Sequence, residues 1–369
     1  MVEDVADLPS PALLVYRGRV EANLRRMVTL AGGVHRLRPH IKTHKMPDLV
    51  RLQLDLGITR FKCATIAEAE MAAMCGVPDL LLAYPLVGPN ARRFAELIAA
   101  FPRTRFSATG DAAEGLAALA EAVRGLQPPT VEGSPVPVLL DLDVGQHRTG
   151  VVANGQAVEL YRWIASQPAF SPGGLHAYDG HIIESEPAAR AAACEAAFAP
   201  VARLRDQLVA LGLPVPRIVA GGTPTLAIHA RMEGVECSPG TCVFWDACYA
   251  AKFPDLGFEP AALVLTRVVS KPAANCLCLD LGYKAVAAEV PHPRVHFLGL
   301  PDAQARLHSE EHLVVETEQA GRFRVGDCLY GLPWHICPTV ALHAEAVVVQ
   351  EGRVAGRWKV AARDRRLSI

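Results

Sequence analysis

Residues 60–84, RFKCATIAEAEMAAMCGVPDLLLAY, decide the fold class of this chain. Two short apolar runs, RFKCA and LLLAY, enclose a stretch with helical periodicity, IAEAEMAAMCG. A strand, a helix and a second strand in this order form a unit whose two strands run parallel in one sheet. The stretch therefore predicts an α/β protein.

The same alternation continues on both sides of this stretch. Before it, HRLRPHIK is followed by the helix-like MPDLVRLQLDLG, and after it come the apolar runs RFSATG, PVLLDLDV, GLHAY, RIVAGG and GVECSPG. Eight such units within roughly 210 residues predict a closed (β/α)8 TIM barrel rather than an open doubly wound sheet. An extra helix, RVEANLRRMVTLAG, precedes the first strand, and LQPPTVEGSPVP is predicted to be a loop.

The pattern changes after about Trp245. Short β-branched runs separated by turn residues follow, such as ALVLTRVVSKP, HLVVETE and AEAVVVQEGRVAGRW. They predict an all-β domain. We expect a barrel domain over residues 12–245 and a β domain over residues 246–369, with residues 1–11 packing against the β domain.

Composition excludes several classes of function. The chain has 369 residues and a net charge of −1, with 37 Lys and Arg against 38 Asp and Glu, so we expect no nucleic-acid partner. The apolar runs are shorter than the roughly 18 residues of a membrane span, and the start, MVEDVADLPS, is unlike a signal peptide. Ten cysteines without such a signal are typical of reduced thiols, which predicts a cytoplasmic protein.

Polar residues cluster where the predicted strands end. In a barrel of this kind the carboxyl ends of the strands carry the chemistry. The candidates there are Lys42, Tyr84, Arg148, Tyr178, His181 and the glycine-rich turns AGGT (220–223) and SPGT (238–241).

This set favours pyridoxal phosphate as a cofactor. Pyridoxal phosphate needs an amine for its Schiff base, and glycine-rich turns offer backbone N–H groups to its phosphate. Taken singly, a lysine at a strand end is most often a solvated charge, and a GGT stretch is most often a simple turn. The interpretation depends on their meeting at one rim.

Several stretches resemble a known family: RPHIKTHK (38–45), DVGQHRTGV, GLHAYDGH, VAGGTPT, SPGTCVFWD, VVSKP, LDLGYKA and PWHICPTV. They resemble motifs of the fold-type III pyridoxal-phosphate enzymes, specifically the D-threonine aldolase and D-serine dehydratase group. The resemblance runs from about Pro9 to Arg357. It implies an alanine-racemase-like barrel with a C-terminal β domain, working as a homodimer on a small D-amino acid.

The resemblance also implies roles for individual residues in the cofactor site. Lys42, the first lysine of RPHIKTHK, would form the Schiff base rather than Lys45, and the neighbouring cations would lower the pKa of its amine. Either Arg38 or His40 could face the cofactor too, and the partner of the pyridine nitrogen stays open within residues 236–238. The remaining assignments are Tyr178 against the pyridine ring, Arg148 near the phenolic oxygen, and Gly222, Thr223, Gly240 and Thr241 at the phosphate.

A metal site is implied at His335 and Cys337 in PWHICPTV, a pair that we expect on a strand or turn. Imidazole with thiolate favours Zn²⁺. Some similar aldolases carry aspartate at the position of Cys337 and prefer harder ions such as Mn²⁺. The pair Cys276 and Cys278 is better explained as part of an ordinary strand.

The favoured activity is that of a lyase that cleaves D-3-hydroxy-amino acids to glycine and an aldehyde. Aldolases of this kind carry a basic histidine six positions after the equivalent of Tyr178, where this chain has Glu184, so His181 becomes the candidate base. The His-x-Cys pair keeps a D-serine or D-3-hydroxyaspartate dehydratase as the alternative. A racemase using Tyr283 or Tyr330, or a non-catalytic cofactor carrier, is less favoured.

Overall fold

A computed structural model of the chain describes residues 2–3, 5–124, 126 and 135–369, so most of the predicted loop at 126–137 lies outside the described residues. The strands are β1 (Ala12–Tyr16), β2 (Arg60–Cys63), β3 (Asp79–Leu82), β4 (Arg105–Gly110), β5 (Val136–Asp143), β6 (Val151–Val152), β7 (Phe170–Ala177), β8 (Ile218–Ala220), β9 (Val235–Cys237), β10 (Ala262–Ala273), β11 (Cys276–Leu279), β12 (Val295–Phe297), β13 (Gln304–His308), β14 (Leu313–Glu316), β15 (Cys328–Pro333), β16 (Glu345–Gln350) and β17 (Arg353–Lys359). The helices are α1 (Arg17–Ala31), α2 (Pro47–Asp55), α3 (Ile66–Met74), α4 (Pro89–Ala100), α5 (Ala113–Arg124), α6 (Gly155–Ser166), α7 (Pro187–Ala210), α8 (Leu226–His229), α9 (Ala247–Lys252) and α10 (Ile336–Leu342).

The chain folds into two compact units. The barrel unit comprises residues 27–42, 49–240 and 364–369, and the sheet unit comprises residues 1–26, 43–48 and 241–363. The predicted domain boundary between Trp245 and Asp246 stays a prediction.

Parallel strands form the barrel unit, which confirms the predicted fold class. The strand order is β2-β3-β4-β5-β7-β8-β9, every neighbouring pair is parallel, and the two-residue β6 pairs with β5. Of the predicted helices, α2 precedes β2, and α3 to α7 lie between these strands in the chain. The βα alternation of the sequence thus appears directly in the fold.

The first predicted strand, HRLRPHIK, does not form a regular strand. Instead Leu37 pairs with Cys237 of β9, and His40 pairs with Lys62 of β2, each through a single parallel bridge. The intervening Pro39 has no N–H to donate, although its carbonyl accepts a hydrogen bond from the Lys62 N–H at 2.9 Å. This extended segment therefore takes the eighth position, between β9 and β2.

An apolar layer fills the middle of the barrel unit. Leu81, Leu139 and Val219, all fully buried, form one cluster and come from β3, β5 and β8. Side chains from alternate strands commonly build such layers inside a barrel. Because side chains two residues apart point to the same face of a strand, Asp79 lies before this layer on β3 and Asp141 lies after it on β5.

Local hydrogen bonds fix the junction between β2 and α3. The Thr65 hydroxyl accepts a hydrogen bond from the Glu68 N–H at 3.1 Å, and the Glu68 carboxylate accepts one from the Ala64 N–H at 2.7 Å. This reciprocal arrangement satisfies N–H groups that the first helical turn leaves unpaired. It ends β2 directly after Cys63.

The sheet unit is mostly antiparallel. Its order is β13-β14-β11-β10-β1-β16-β17, and β15 pairs with β10 and β12. Among the described strands of this unit, only the β1–β16 pair is parallel. Val2, Leu8 and Leu14 lie in one apolar cluster with residues of β10, β15 and β16. The short helices α9 and α10 interrupt the predicted all-β pattern.

None of the helices in the described parts of the chain combines the length and the apolarity that a bilayer crossing requires.

Candidate active site

Three predicted residues meet at the carboxyl ends of the barrel strands. The ring of Tyr178, directly after β7, lies 5.6 Å from the Lys42 Nζ and 4.9 Å from the Arg148 guanidinium carbon, both measured to the ring centroid. Lys42 is placed by a turn in which its backbone N–H donates to the Nδ1 atom of His40 at 3.3 Å. The structure therefore brings Lys42, Arg148 and Tyr178 together, while their roles at a cofactor stay predictions.

Sequence reasoning missed a second lysine at this ring. The Nζ atom of Lys62, on β2, also lies 5.6 Å from the Tyr178 centroid, and Lys62 is only 1% exposed. Within the described part of the chain, Lys42, Lys62 and Arg148 form no ion pair with a carboxylate. Three cationic groups thus surround one aromatic ring without a bound counter-charge.

Lys62 begins a buried chain of polar groups. Its Nζ lies 3.4 Å from His176 Nε2, and His176 Nδ1 lies 2.6 Å from Asp141 Oδ1. The Thr149 hydroxyl donates to Asp141 Oδ2 at 2.9 Å. Because the carboxylate holds a proton on Nδ1, the Nε2 lone pair faces Lys62 as an acceptor.

The environment shifts the pKa values along this chain. Burial and the neighbouring Lys42 lower the pKa of Lys62 from 10.5 to about 7. Burial lowers the pKa of His176 and outweighs the opposing effect of Asp141. Burial alone would raise the pKa of Asp141, but His176 and Thr149 bring it below its usual value. Among the cations near Lys62, Lys42 of RPHIKTHK lowers its pKa most.

The predicted phosphate loop has its own support. The Gly222 N–H donates to the Thr225 hydroxyl at 3.2 Å, and that hydroxyl donates to Asp179 Oδ1 at 3.0 Å. Across the turns, the Gly240 N–H donates to the buried Thr223 hydroxyl at 3.1 Å. Gly221 has a φ of +76°, and a Cβ there would approach the His229 ring to 2.5 Å. Sequence reasoning named the glycines but not Asp179, Thr225 or His229.

These residues fit pyridoxal phosphate. A Cβ on Gly222 would lie 3.5 Å from the Tyr178 ring, so the glycine leaves room beside the aromatic face. The uncompensated cations suit a cofactor that carries a phosphate and a phenolate. Lys42 is partly exposed, and its amine would be available to the cofactor aldehyde.

Arg38 and residues 236–238, whose roles the sequence left open, lie in a network of buried ion pairs and hydrogen bonds. Arg38 is fully buried and pairs with Asp79 and Glu236, each at 2.6 Å, while Glu236 also binds Arg60 at 2.6 Å. The Ser238 hydroxyl donates to the Arg38 carbonyl at 2.9 Å. Arg38 and Glu236 therefore neutralise each other inside the barrel unit.

His181, Glu184 and Tyr84 lie at the surface of the barrel unit. The exposed His181 ring lies beside Gly145, where an added Cβ would come within 3.0 Å of its Nε2. The Glu184 side chain is exposed, and its carbonyl accepts a hydrogen bond from Arg190 at 3.0 Å. Tyr84 is 55% exposed and lines a cavity of about 280 Å³ with Arg93 and other residues that follow β2 and β3.

The predicted metal pair lies in the sheet unit, at the start of a helix rather than on a strand. His335 is the N-cap of α10 and Cys337 lies in its first turn. The Cys337 Sγ lies 3.2 Å from the Thr43 hydroxyl and 3.5 Å from the Thr241 hydroxyl. His335 Nδ1 lies 2.5 Å from Glu289 Oε1. Thr241, predicted at the phosphate, thus has its hydroxyl against Cys337.

The donor set fits a zinc-like ion. Burial would raise the pKa of Cys337, but hydrogen bonds from His335, Thr43 and Thr241 bring it below the usual value of a thiol. Burial lowers the pKa of His335, but Cys337 and Glu289 outweigh it and raise the value to about 9. A carboxylate behind a histidine is a common way to orient a metal-binding imidazole.

A second set of metal-capable groups lies in the barrel unit. Asp179, Cys194 and His229 are buried, and their donor atoms lie within 4.8 Å of one another. They bond to each other: His229 Nε2 lies 2.8 Å from Asp179 Oδ2, and Cys194 Sγ lies 3.4 Å from His229 Nε2. Since Asp179 also accepts from Thr225, we interpret this set as the support of the phosphate loop.

Comparisons with known proteins agree with this arrangement. Residues 15–247 match the family model "Alanine racemase, N-terminal domain", and residues 261–349 match "Putative serine dehydratase domain". The chain is 31% identical to the D-threonine aldolase of Arthrobacter sp., over 98% of this chain and 94% of that protein. It is 30% identical to the 3-hydroxy-D-aspartate aldolase of Paracoccus denitrificans, with the same coverage.

A solved structure supports the same assignment. The crystal structure of D-threonine aldolase from Filomicrobium marinum superposes with a TM-score of 0.89 and 27% identity, and 97% of each chain is covered. The chain therefore belongs to the pyridoxal-phosphate-dependent lyase family that contains the D-threonine aldolases and D-serine dehydratases, with the alanine-racemase-like fold.

Proposed function

We propose that this protein is a pyridoxal-phosphate- and divalent-metal-dependent lyase that cleaves D-3-hydroxy-amino acids to glycine and an aldehyde. The observation that carries the proposal is the convergence of Lys42 and Arg148 on the Tyr178 ring, beside the glycine turns of the barrel unit. The two relatives that are 31% and 30% identical to this chain are named as aldolases, which favours cleavage over elimination.

In this proposal the barrel unit binds and orients the cofactor. Lys42 supplies the attached amine, Arg148 pairs with the phenolic oxygen, and Tyr178 packs against the ring. Gly222, Thr223 and Gly240 form the turns that hold the phosphate. Thr241, whose hydroxyl lies against Cys337, stays a prediction at the phosphate. Once bound, pyridoxal phosphate accepts the electron pair that bond cleavage leaves on the substrate Cα.

Proton transfer falls to residues at the rim. His181 is exposed beside Gly145, where it can accept the proton of the substrate β-hydroxyl. His335 and Cys337 hold the divalent ion, Zn²⁺ or Mn²⁺, and Glu289 orients the imidazole. Such an ion makes a hydroxyl easier to deprotonate.

A dehydratase is the second candidate. It is favoured by the His-x-Cys pair and by the serine dehydratase domain matched over residues 261–349, which contain that pair. In a dehydratase, Lys42 would remove the Cα proton and the hydroxyl would leave. For the racemase alternative, Tyr330 is a poor acid or base because it is buried and its hydroxyl accepts a hydrogen bond from the Val2 N–H at 3.0 Å, whereas Tyr283 is 40% exposed.

The deciding experiment offers the protein pyridoxal phosphate, Zn²⁺ or Mn²⁺, and D-threonine, D-serine or D-3-hydroxyaspartate in turn. Glycine with an aldehyde identifies the aldolase. A keto acid with ammonia identifies the dehydratase and overturns the preferred activity. Absence of both, with no visible absorbance from lysine-bound cofactor, overturns the proposal altogether.

A metal test uses two cysteines of the sheet unit. We expect chelation to abolish activity, and Cys337→Ala to lower metal affinity at least about tenfold. Cys276→Ala is the matched control, since Cys276 lies on β11 and should leave metal affinity unchanged. Equal effects of both substitutions in a metal titration would contradict the assigned pair. A homodimer and a cytoplasmic location, both expected from the sequence, stay predictions.

A further inference from the structure

The second lysine of the cofactor site has no role in the function proposed above. Lys62 is 1% exposed, and its amine faces the same aromatic ring as Lys42 and Arg148. A buried ammonium between two cations is electrostatically unfavourable. Burial and the neighbouring cations therefore favour the neutral amine, and an anion that enters the site favours the ammonium.

The hydrogen bonds of Lys62 suit both of its charge states. The only hydrogen-bond partner of its amine among the described residues is His176 Nε2, at 3.4 Å. Asp141 holds the other imidazole nitrogen, so Nε2 accepts a hydrogen bond from an amine or from an ammonium. Protonation of Lys62 therefore breaks no hydrogen bond, and the Asp141 carboxylate behind His176 stabilises the added charge.

We propose that Lys62 is a second lysine of the cofactor site, one that is a neutral amine in the cofactor-free protein and takes up a proton from solvent when the anionic cofactor binds. The inference rests on the proposed pyridoxal-phosphate site and deepens it. Lys62 is a positioning residue here: it supplies a positive charge to balance the incoming phenolate and phosphate.

The pH range follows from the charged groups that face Lys62. Lys42 and Arg148 disfavour its ammonium form, whereas Asp141 and Asp179 favour it, and burial leaves its pKa at about 7. Cofactor anions add to the favourable side and raise that pKa. Proton uptake is therefore expected above pH 7 and is absent near pH 6, where Lys62 carries its proton before the cofactor arrives.

The test measures proton uptake directly. Pyridoxal phosphate is titrated into cofactor-free protein by calorimetry at pH 8, in two buffers of different ionisation enthalpy. The buffer difference gives the number of protons bound. We expect wild type to take up roughly 0.9 proton more than Lys62→Met. The pH slope of log affinity between pH 7.5 and 9 should differ by about one.

Two further variants keep the result interpretable. Lys359→Met removes an exposed lysine of β17 and should retain the wild-type uptake. Asp141→Asn keeps the shape of the buried chain but removes its negative charge, so uptake should move to lower pH. If Lys62→Met proves unstable, the shift in Asp141→Asn decides the matter.

Failure of this inference differs from failure of the proposed function. Visible absorbance of lysine-bound cofactor, with equal proton uptake in wild type and Lys62→Met, overturns the role of Lys62 alone. No such absorbance in wild type overturns the cofactor site. Absorbance lost in Lys62→Met but kept in Lys42→Ala would make Lys62 the attached lysine and overturn the inference.

Discussion

The two ends of the barrel unit differ in how their charged side chains are paired. At the amino ends of the strands, Arg38 is matched by Asp79 and Glu236 at 2.6 Å, and Arg105 and Arg60 complete the network. At the carboxyl ends, Lys42, Lys62 and Arg148 surround an aromatic ring, and the described residues supply no carboxylate partner to them. In the apolar layer, Leu81 follows Asp79 by two residues on β3, and Leu139 precedes Asp141 by two residues on β5.

This difference separates structure from function. A buried charge that is paired with an opposite charge needs no ligand to balance it. Removing one partner destabilises the fold, because the remaining charge is buried without a partner. At the other end only Lys62 is buried, and an anion that enters the site would supply the counter-charge that its ammonium lacks. RPHIKTHK supplies both ends, because Arg38 lies in the extended segment and Lys42 lies four residues later, in the turn that follows it.

We call the carboxyl ends of the strands, with Lys42, Lys62 and Arg148, the unpaired end, and the amino ends, with Arg38, the paired end. The largest effect of a substitution is expected at the unpaired end. Lys42→Ala should abolish the visible absorbance of lysine-bound cofactor and lower activity at least about 10³-fold, because the attached amine is lost. The free energy of unfolding of the cofactor-free protein should change little. Absorbance spectra, activity assays and urea unfolding measure the three quantities.

Lys45→Ala is the matched control for Lys42. Lys45 is the second lysine of the same motif, and its Nζ contacts the Ala362 carbonyl at 3.4 Å within the sheet unit. The variant should keep the cofactor absorbance. If Lys45→Ala loses it and Lys42→Ala keeps it, the assignment of the unpaired end is wrong.

The paired end should respond in the reverse manner. Arg38→Met leaves Asp79 and Glu236 with less compensation, so we expect the free energy of unfolding to fall by about 3–5 kcal/mol. Cofactor affinity of the protein that remains folded should be nearly unchanged. Urea unfolding and cofactor titration would show whether the two ends are separable.

An exposed ion pair gives the comparison for Arg38. Arg162 pairs with Glu159 at 2.7 Å on α6, with 45% and 70% of the two side chains exposed. Arg162→Met should cost about 1 kcal/mol or less. A similar cost for Arg38→Met would mean that its buried network contributes no more than a surface pair.

Much of the fold could be predicted because its signals are local in the sequence. Apolar runs alternating with helical periodicity located β2, β3 and the other parallel strands, since periodicity depends on near neighbours. The prediction of a regular strand around Pro39 was wrong. Proline has no N–H for the strand ladder, although it leaves the chain extended. α10 was missed because its seven residues carry too little periodicity.

The site was predicted in part, and the missing part is not local. Lys42, Arg148 and Tyr178 follow strands, so the barrel rule places them at one rim. Lys62 lies inside an ordinary-looking strand, and only the closed barrel shows that it faces Tyr178 beside His176. Its inward direction was available from strand alternation, but its partners on other strands were not.

Lowering the pH should reduce the free energy of unfolding of the wild-type protein through Asp79 at the paired end. Burial alone would raise the pKa of Asp79, but Arg38 and Arg105 lower it from 3.8 to about 2. A depressed folded-state pKa contributes stability above the unfolded value, about 2 kcal/mol here, which is lost as pH falls from about 4 to 2. Urea unfolding between pH 5 and 3 should show this loss beginning in wild type and reduced in Arg38→Met. An unchanged slope in the variant would contradict the pairing.

The smallest effect should come from the support of the phosphate loop. Thr225 accepts from the Gly222 N–H and donates to Asp179, so Thr225→Val removes both bonds while keeping the side-chain shape. We expect cofactor affinity to fall about fivefold, which corresponds to about 1 kcal/mol. Thr104→Val is the control at the paired end, where the buried hydroxyl donates to the Val77 carbonyl at 2.8 Å. Both variants should lose similar stability in urea, but only Thr225→Val should weaken cofactor binding. If wild type and Thr225→Val bind the cofactor with equal affinity in a fluorescence titration, the loop holds its shape without this hydroxyl. Cofactor binding at the unpaired end would then depend on the cations alone.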